Sequence, residues 1–148
     1  MRVTDTLYQT IFTKVPPPPP ETGGILGGQC GLITHCHFDS GQCTQTAPAH
    51  YQPDSELLNR VIQVWQADNI QFYGLFHSHY PHDTKLSPGD RKYISKIMLS
   101  MPPNIHTLYF PLILPGTTVI SYRVDRYDSD VRIVCDKIEI SKMEVNLP

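Results

Sequence analysis

Residues 71–90 read Gln71-Phe-Tyr-Gly-Leu-Phe-His77-Ser-His79-Tyr-Pro-His-Asp-Thr-Lys-Leu-Ser87-Pro-Gly-Asp90. Gln71 to Phe76 has the length and apolar content of a strand, and it runs into His77-Ser78-His79. In a strand, residues i and i+2 point to the same side, so both imidazoles leave the sheet together. Ser87 then opens a helix. Pro88 stands at the first helical position, where its missing N–H is no loss, and Ser-x-x-Asp is a helix-start pattern. Asp90 therefore lies on the first turn. The segment Tyr80 to Leu86 is long enough to fold that carboxylate back onto the strand end.

On the N-terminal side, Leu7, Ile11 and Val15 recur at helical spacing over residues 4–15, with Thr4 or Asp5 as cap. Pro16 to Pro20 end that helix and predict an extended polyproline II segment, read as a spacer rather than as a ligand for a proline-binding domain. Glu21-Thr-Gly-Gly-Ile-Leu-Gly-Gly follows as a strand, whose glycines mark close approach of a neighbour. Residues 30–38 make a second strand and 39–53 a polar loop. Asp54 caps a helix with Leu57, Leu58, Val61, Ile62 and Trp65 on its buried stripe. On the C-terminal side, Tyr93, Ile94, Ile97, Met98 and Met101 face inward from the Ser87 helix, and Pro102-Pro103 stop it. Three strands follow, at about 106–113, 117–125 and 131–141, with Gly116 turning the first into the second. The order predicts one α/β domain over residues 1–148, layered in the α+β manner, with a mixed, mainly antiparallel sheet flanked by helices.

The chain has 148 residues and a net charge of −2, with no basic run, so nothing points to nucleic acid or to a membrane surface. The sequence shows no signal-peptide pattern and no run of about 18 apolar residues. Four cysteines without a Cys-x-x-Cys pair fit a cytoplasmic protein with reduced thiols.

His77, His79 and Asp90 make a three-ligand set for zinc, one ion per chain, with a fourth position left for water, as in catalytic rather than structural sites. Zinc lowers the pKa of that water to about 7, and a carboxylate beside it can take the proton and return it to a leaving amine. Glu21, one of four glutamates, is the candidate base. Ser87 has two compatible readings: helix cap, or hydroxyl donor to an oxyanion.

Together, Glu21-Thr-Gly-Gly-Ile-Leu-Gly-Gly and His77-x-His79, seven residues, Ser87, two residues, Asp90 resemble the signature of the JAMM metalloproteases, also called the MPN-plus or JAB domain. The element order agrees over most of the chain. The resemblance implies the MPN fold, with a layout like that of the zinc cytidine deaminases. It implies Glu21 as general acid/base, His77, His79 and Asp90 as zinc ligands, and Ser87 as oxyanion stabiliser. The reaction implied is hydrolysis of an isopeptide or peptide bond after the C-terminal tail of ubiquitin or a ubiquitin-like protein. Larger deubiquitinating members carry two insertions; here only 39–53 offers a short first one. That favours a compact, stand-alone member like those of prokaryotes.

Two other functions fit the same fold: a scaffold that binds a ubiquitin-like partner without cleaving it, and a zinc hydrolase of a small amide. Cys30, His35, His37 and Cys43 raise the question of a second metal, against which stands ordinary packing of buried cysteine. His82 and His106 read as ordinary surface or core residues.

Overall fold

The structure, a computed structural model, describes residues 1–42 and 50–142. Cys43 and the central part of the expected 39–53 loop lie outside the described residues. The elements run β1 (Arg2–Thr4), α1 (Asp5–Lys14), β2 (Gly23–Gln29), β3 (Leu32–Asp39), α2 (Ser55–Ala67), β4 (Gln71–Ser78), α3 (Pro88–Ser100), β5 (Thr107–Tyr109), β6 (Leu112–Leu114), β7 (Thr118–Tyr127), β8 (Asp130–Asp136) and β9 (Glu139–Ser141). This is the layered α/β arrangement expected: one mixed sheet with three helices on its faces.

The strands lie in the order β5-β7-β6-β4-β2-β3-β1-β9, with β8 on β7. The β2–β3, β2–β4, β5–β7, β6–β7 and β7–β8 pairs are antiparallel and carry most of the ladder. The β1–β3, β1–β9, β4–β5 and β4–β6 pairs are parallel and short. Central strands covered on both faces show apolar residues at successive positions, and the two faces sort them by parity. Ile25, Leu75, Leu112 and Leu114 pack under α2 and α3 with Leu58, Trp65, Ile94 and Met98. Leu26, Phe76 and Ile113 pack against Leu7, Ile11 and Val15 of the α1 side. His77 and His79 share the parity of Leu75 and so face α3. Ser78 shares the parity of Phe76 and faces the other way.

Thr4 is the cap of α1, its Oγ1 accepting the Leu7 N–H, and Asp54 caps α2 in the same manner on Leu57. Several boundaries differ from the sequence reading. The proline run bends at residues 18–20 instead of continuing as polyproline II. The expected 106–113 strand is interrupted at Phe110-Pro111. Tyr109↔Arg123 and Leu112↔Ile120 keep one register across the gap, so the missing N–H of Pro111 breaks the ladder without shifting it. The expected 131–141 strand is two: β8 ends at Asp136, and β9 leaves it to pair with β1. No helix among the described residues is long and apolar enough to cross a membrane.

Candidate metal centre

Strand parity and helix capping bring three donors together at the C-terminal end of β4. His77 Nε2 lies 3.0 Å from His79 Nε2. Asp90 Oδ1 is 3.4 Å from His77 Nε2, and Asp90 Oδ2 is 3.3 Å from His79 Nε2. His77 and His79 are buried and Asp90 half-buried. Two atoms bound to zinc at 2.0–2.1 Å with a tetrahedral angle stand roughly 3.3 Å apart. The two Asp90 contacts use different oxygens, but each pairwise separation is near that value, and one ligand atom from each residue lies within 4.8 Å of the others.

Hydrogen bonding sharpens the fit. His79 Nδ1 faces two acceptors of Asp83, the carbonyl oxygen at 3.2 Å and Oδ2 at 3.3 Å. Nδ1 must then carry the proton, as is usual for a metal-binding histidine. A neutral His79 consequently presents its Nε2 lone pair to the Asp90 carboxylate, acceptor against acceptor. Only a proton or a metal cation resolves that contact. Burial disfavours a charged His79, but the hydrogen bond with Asp90 and the fields of Glu21, Asp90 and Asp83 outweigh it and raise its pKa above the ordinary value. Burial likewise pushes Asp90 up, yet hydrogen bonds from His77 and His79, with the His77 field and the Ser87 N–H, hold it far below the usual carboxylate range.

Asp90 is positioned by a capping box. The N–H of Ser87 donates to Asp90 Oδ2 at 2.7 Å, and the N–H of Asp90 donates to Ser87 Oγ at 3.0 Å. Both readings of Ser87 survive, because a hydroxyl that accepts from an N–H keeps its own proton to donate. Glu21 lies two residues before β2, not within it, and is buried. It does not join the triangle, but its charge acts on His79. Its Oε2 accepts the N–H of Tyr51 at 3.2 Å, and His50 Nδ1 stands 3.9 Å from the same oxygen.

All five expected residues thus gather at one end of β2 and β4. Cys30, His35 and His37 form no comparable ligand group among the described residues. Sequence reasoning missed Asp83, although a carboxylate one turn beyond His79 was visible. It also missed Tyr51, whose ring stacks on His77 with centroids 6.4 Å apart and planes 15° apart. No local pattern marks that residue.

No protein-family model matches the sequence, and neither does any curated protein. Solved structures do resemble it. The solution structure of a Desulfitobacterium hafniense protein aligns with TM-score 0.62 at 16% identity, over 96% of this chain and 93% of that one. The solution structure of a Salinibacter ruber protein aligns with TM-score 0.59 at 15% identity, over 100% and 95%. At such identities the likeness is one of fold.

Proposed function

We propose that the chain is a zinc-dependent hydrolase of amide bonds, of the JAMM (MPN-plus) type. Its substrate would be the peptide or isopeptide bond after the C-terminal tail of a ubiquitin-like protein. The observation that carries the reading is the His77–His79–Asp90 cluster, whose ligand atoms, one from each residue, lie within 4.8 Å of one another. The substrate class rests on the motif resemblance around Glu21, His77, His79, Ser87 and Asp90.

His77, His79 and Asp90 would hold the ion. When bound, zinc supplies a Lewis acid that polarises the scissile carbonyl and acidifies water. Glu21 takes the proton of the attacking water and delivers it to the leaving amine. The Tyr51 N–H restrains one of its oxygens meanwhile. Ser87 donates its hydroxyl hydrogen to the developing oxyanion. Asp83 holds the His79 ring so that Nε2 faces Asp90.

The test is metal content by mass spectrometry of the purified wild type and of His77→Ala, followed by cleavage assays on ubiquitin-like fusions. About one zinc per chain, lost in His77→Ala, and cleavage abolished by Glu21→Gln without loss of metal are expected. A wild type that takes up no zinc on reconstitution overturns the reading.

A further inference from the structure

Asp39 ends β3 with its carboxylate buried. Its Oδ1 accepts the N–H of Gly41 at 2.8 Å. Its Oδ2 accepts the Tyr51 hydroxyl at 2.8 Å and the N–H of Asp54 at 2.9 Å. All three donors are neutral. A carboxylate taken out of water on neutral partners alone is costly, so the contacts it makes are informative. Two of them brace the chain: the turn at Gly41 and the cap of α2. The third is a side chain, Tyr51. Burial, then the hydrogen bond to Asp39, push the Tyr51 hydroxyl far above its ordinary pKa, so it remains a neutral donor.

Tyr51 in turn touches both halves of the metal centre. Its N–H donates to Glu21 Oε2 at 3.2 Å, and its ring lies beside the His77 imidazole, 6.4 Å between centroids and 15° from parallel. The ring reaches there across residue 23, which is glycine. A Cβ at that position would stand 2.6 Å from Tyr51 Cε1. Gly23 is paired with His77 in the β2–β4 ladder, so the space left by one missing side chain is where the tyrosine lies against the histidine strand.

We propose that Asp39 and Tyr51 are positioning residues of the metal centre: Asp39 fixes the Tyr51 hydroxyl, and Tyr51 sets Glu21 through its backbone amide and His77 through its ring. This rests on the metal reading above. A stacked ring limits rotation of the His77 imidazole and keeps Nε2 aimed at His79 and Asp90. The amide keeps the Glu21 carboxylate beside the triangle rather than turned to solvent. The base and one ligand are thereby tied to a single residue whose hydroxyl is anchored on β3 through Asp39, which also accepts the N–H of the α2 cap.

The test uses Co2+ as the probe on the full chain. Competition with a chromophoric chelator gives the Kd, and the visible ligand-field bands report coordination geometry. Tyr51→Phe deletes one oxygen and keeps the ring; Asp39→Asn keeps the shape and removes the charge. Each should weaken Co2+ binding about 10–100-fold, the effect usual for outer residues that orient metal ligands, and should shift the bands. The double variant should be no weaker than the worse single one, because both act through one hydrogen bond. Wild-type affinity and bands in both single variants, whatever their melting temperatures, would assign the pair to loop stability and overturn the proposal. A wild type that binds no Co2+ overturns the metal reading itself, and this proposal with it.

Discussion

Thr22 and Ser78 hold each other twice: the Thr22 N–H donates to Ser78 Oγ at 2.9 Å, and the Ser78 N–H donates to the Thr22 carbonyl at 2.8 Å. The residue between the two histidines is thus fastened to the residue after Glu21. Ser78 is fully buried and its side chain faces away from the metal side of the sheet. Its side chain ties the segment of the candidate base to the strand of the candidate ligands without bonding the side chain of either.

Ser78→Ala leaves the Thr22 N–H without its acceptor, at a cost of about 1–3 kcal/mol. Denaturant unfolding should register that loss. Metal content should stay at the wild-type level, since His77 and His79 point to the other face, while turnover falls as Glu21 loses its anchor. Loss of metal in Ser78→Ala would mean that this contact shapes β4 itself.

Acid should release the metal earlier than an ordinary histidine would. The pKa of His79 is raised above 6.5 in the metal-free chain, so a proton competes for Nε2 already above that pH. Apparent zinc affinity, measured by chelator competition, should fall about tenfold per pH unit once His79 protonates. Folding of the metal-free chain has the opposite dependence on this histidine. A raised pKa stabilises the fold fully below 6.5 and stops doing so as pH rises through the folded value. Asp90, with its pKa depressed, stabilises above 3.8 and ceases to as pH falls through its folded value. The contribution of the pair to metal-free stability should therefore be greatest between 3.8 and 6.5, where chelator-treated protein should melt highest on this account.

The centre was legible because its determinants are local. The parity of His77 and His79 needs two residues of strand, and the placement of Asp90 needs one capped helical turn. The supporting residues were not legible, because only tertiary contacts define them. Tyr51 meets Glu21 thirty positions away in sequence, and Asp39 meets Tyr51 twelve positions away. The fold divides in the same way. Long elements such as α2, β4 and α3 show their period. Arg2-Val-Thr is too short to show one, and it becomes β1 only by pairing with β3 and with Glu139–Ser141 from the far end of the chain. That same pairing draws β9 away from β8.

Ser87→Ala separates the two roles of this hydroxyl. Loss of the cap alone should lower stability by about 0.5–2 kcal/mol and leave turnover near normal. Loss of an oxyanion donor should slow turnover about 10²–10³-fold with little further change in stability. Both effects together are expected, read by denaturant unfolding and by steady-state cleavage of the fusion substrate.

Arg126 should stabilise the fold without serving the centre. Its Nη1 donates to the Met98 and Met101 carbonyls, each at 3.0 Å, and its Nη2 to those of Pro102 and Ile105 at 2.6 and 2.8 Å. They lie at the end of α3 and in the following turn, at the negative end of the helix dipole; Met98 and Pro102 also accept the Met101 and Ile105 N–H groups, so Met101 and Ile105 depend most on the arginine. A planar guanidinium can reach four of them at once; an ammonium cannot. Arg126→Leu would leave the Met101 and Ile105 carbonyls without that donor, at a cost on the order of 3 kcal/mol, and Arg126→Lys should cost less. Asp90 sits on the first turn of α3, roughly 12–17 Å along the helix axis from Met98 and Met101 at 1.5 Å per residue. Thermal unfolding should therefore drop by roughly 6–12 °C in Arg126→Leu, while zinc content and affinity of the folded protein hold at wild-type values. Weaker zinc binding in that variant would mean that the seating of α3 on the sheet, and not its first turn alone, places Asp90.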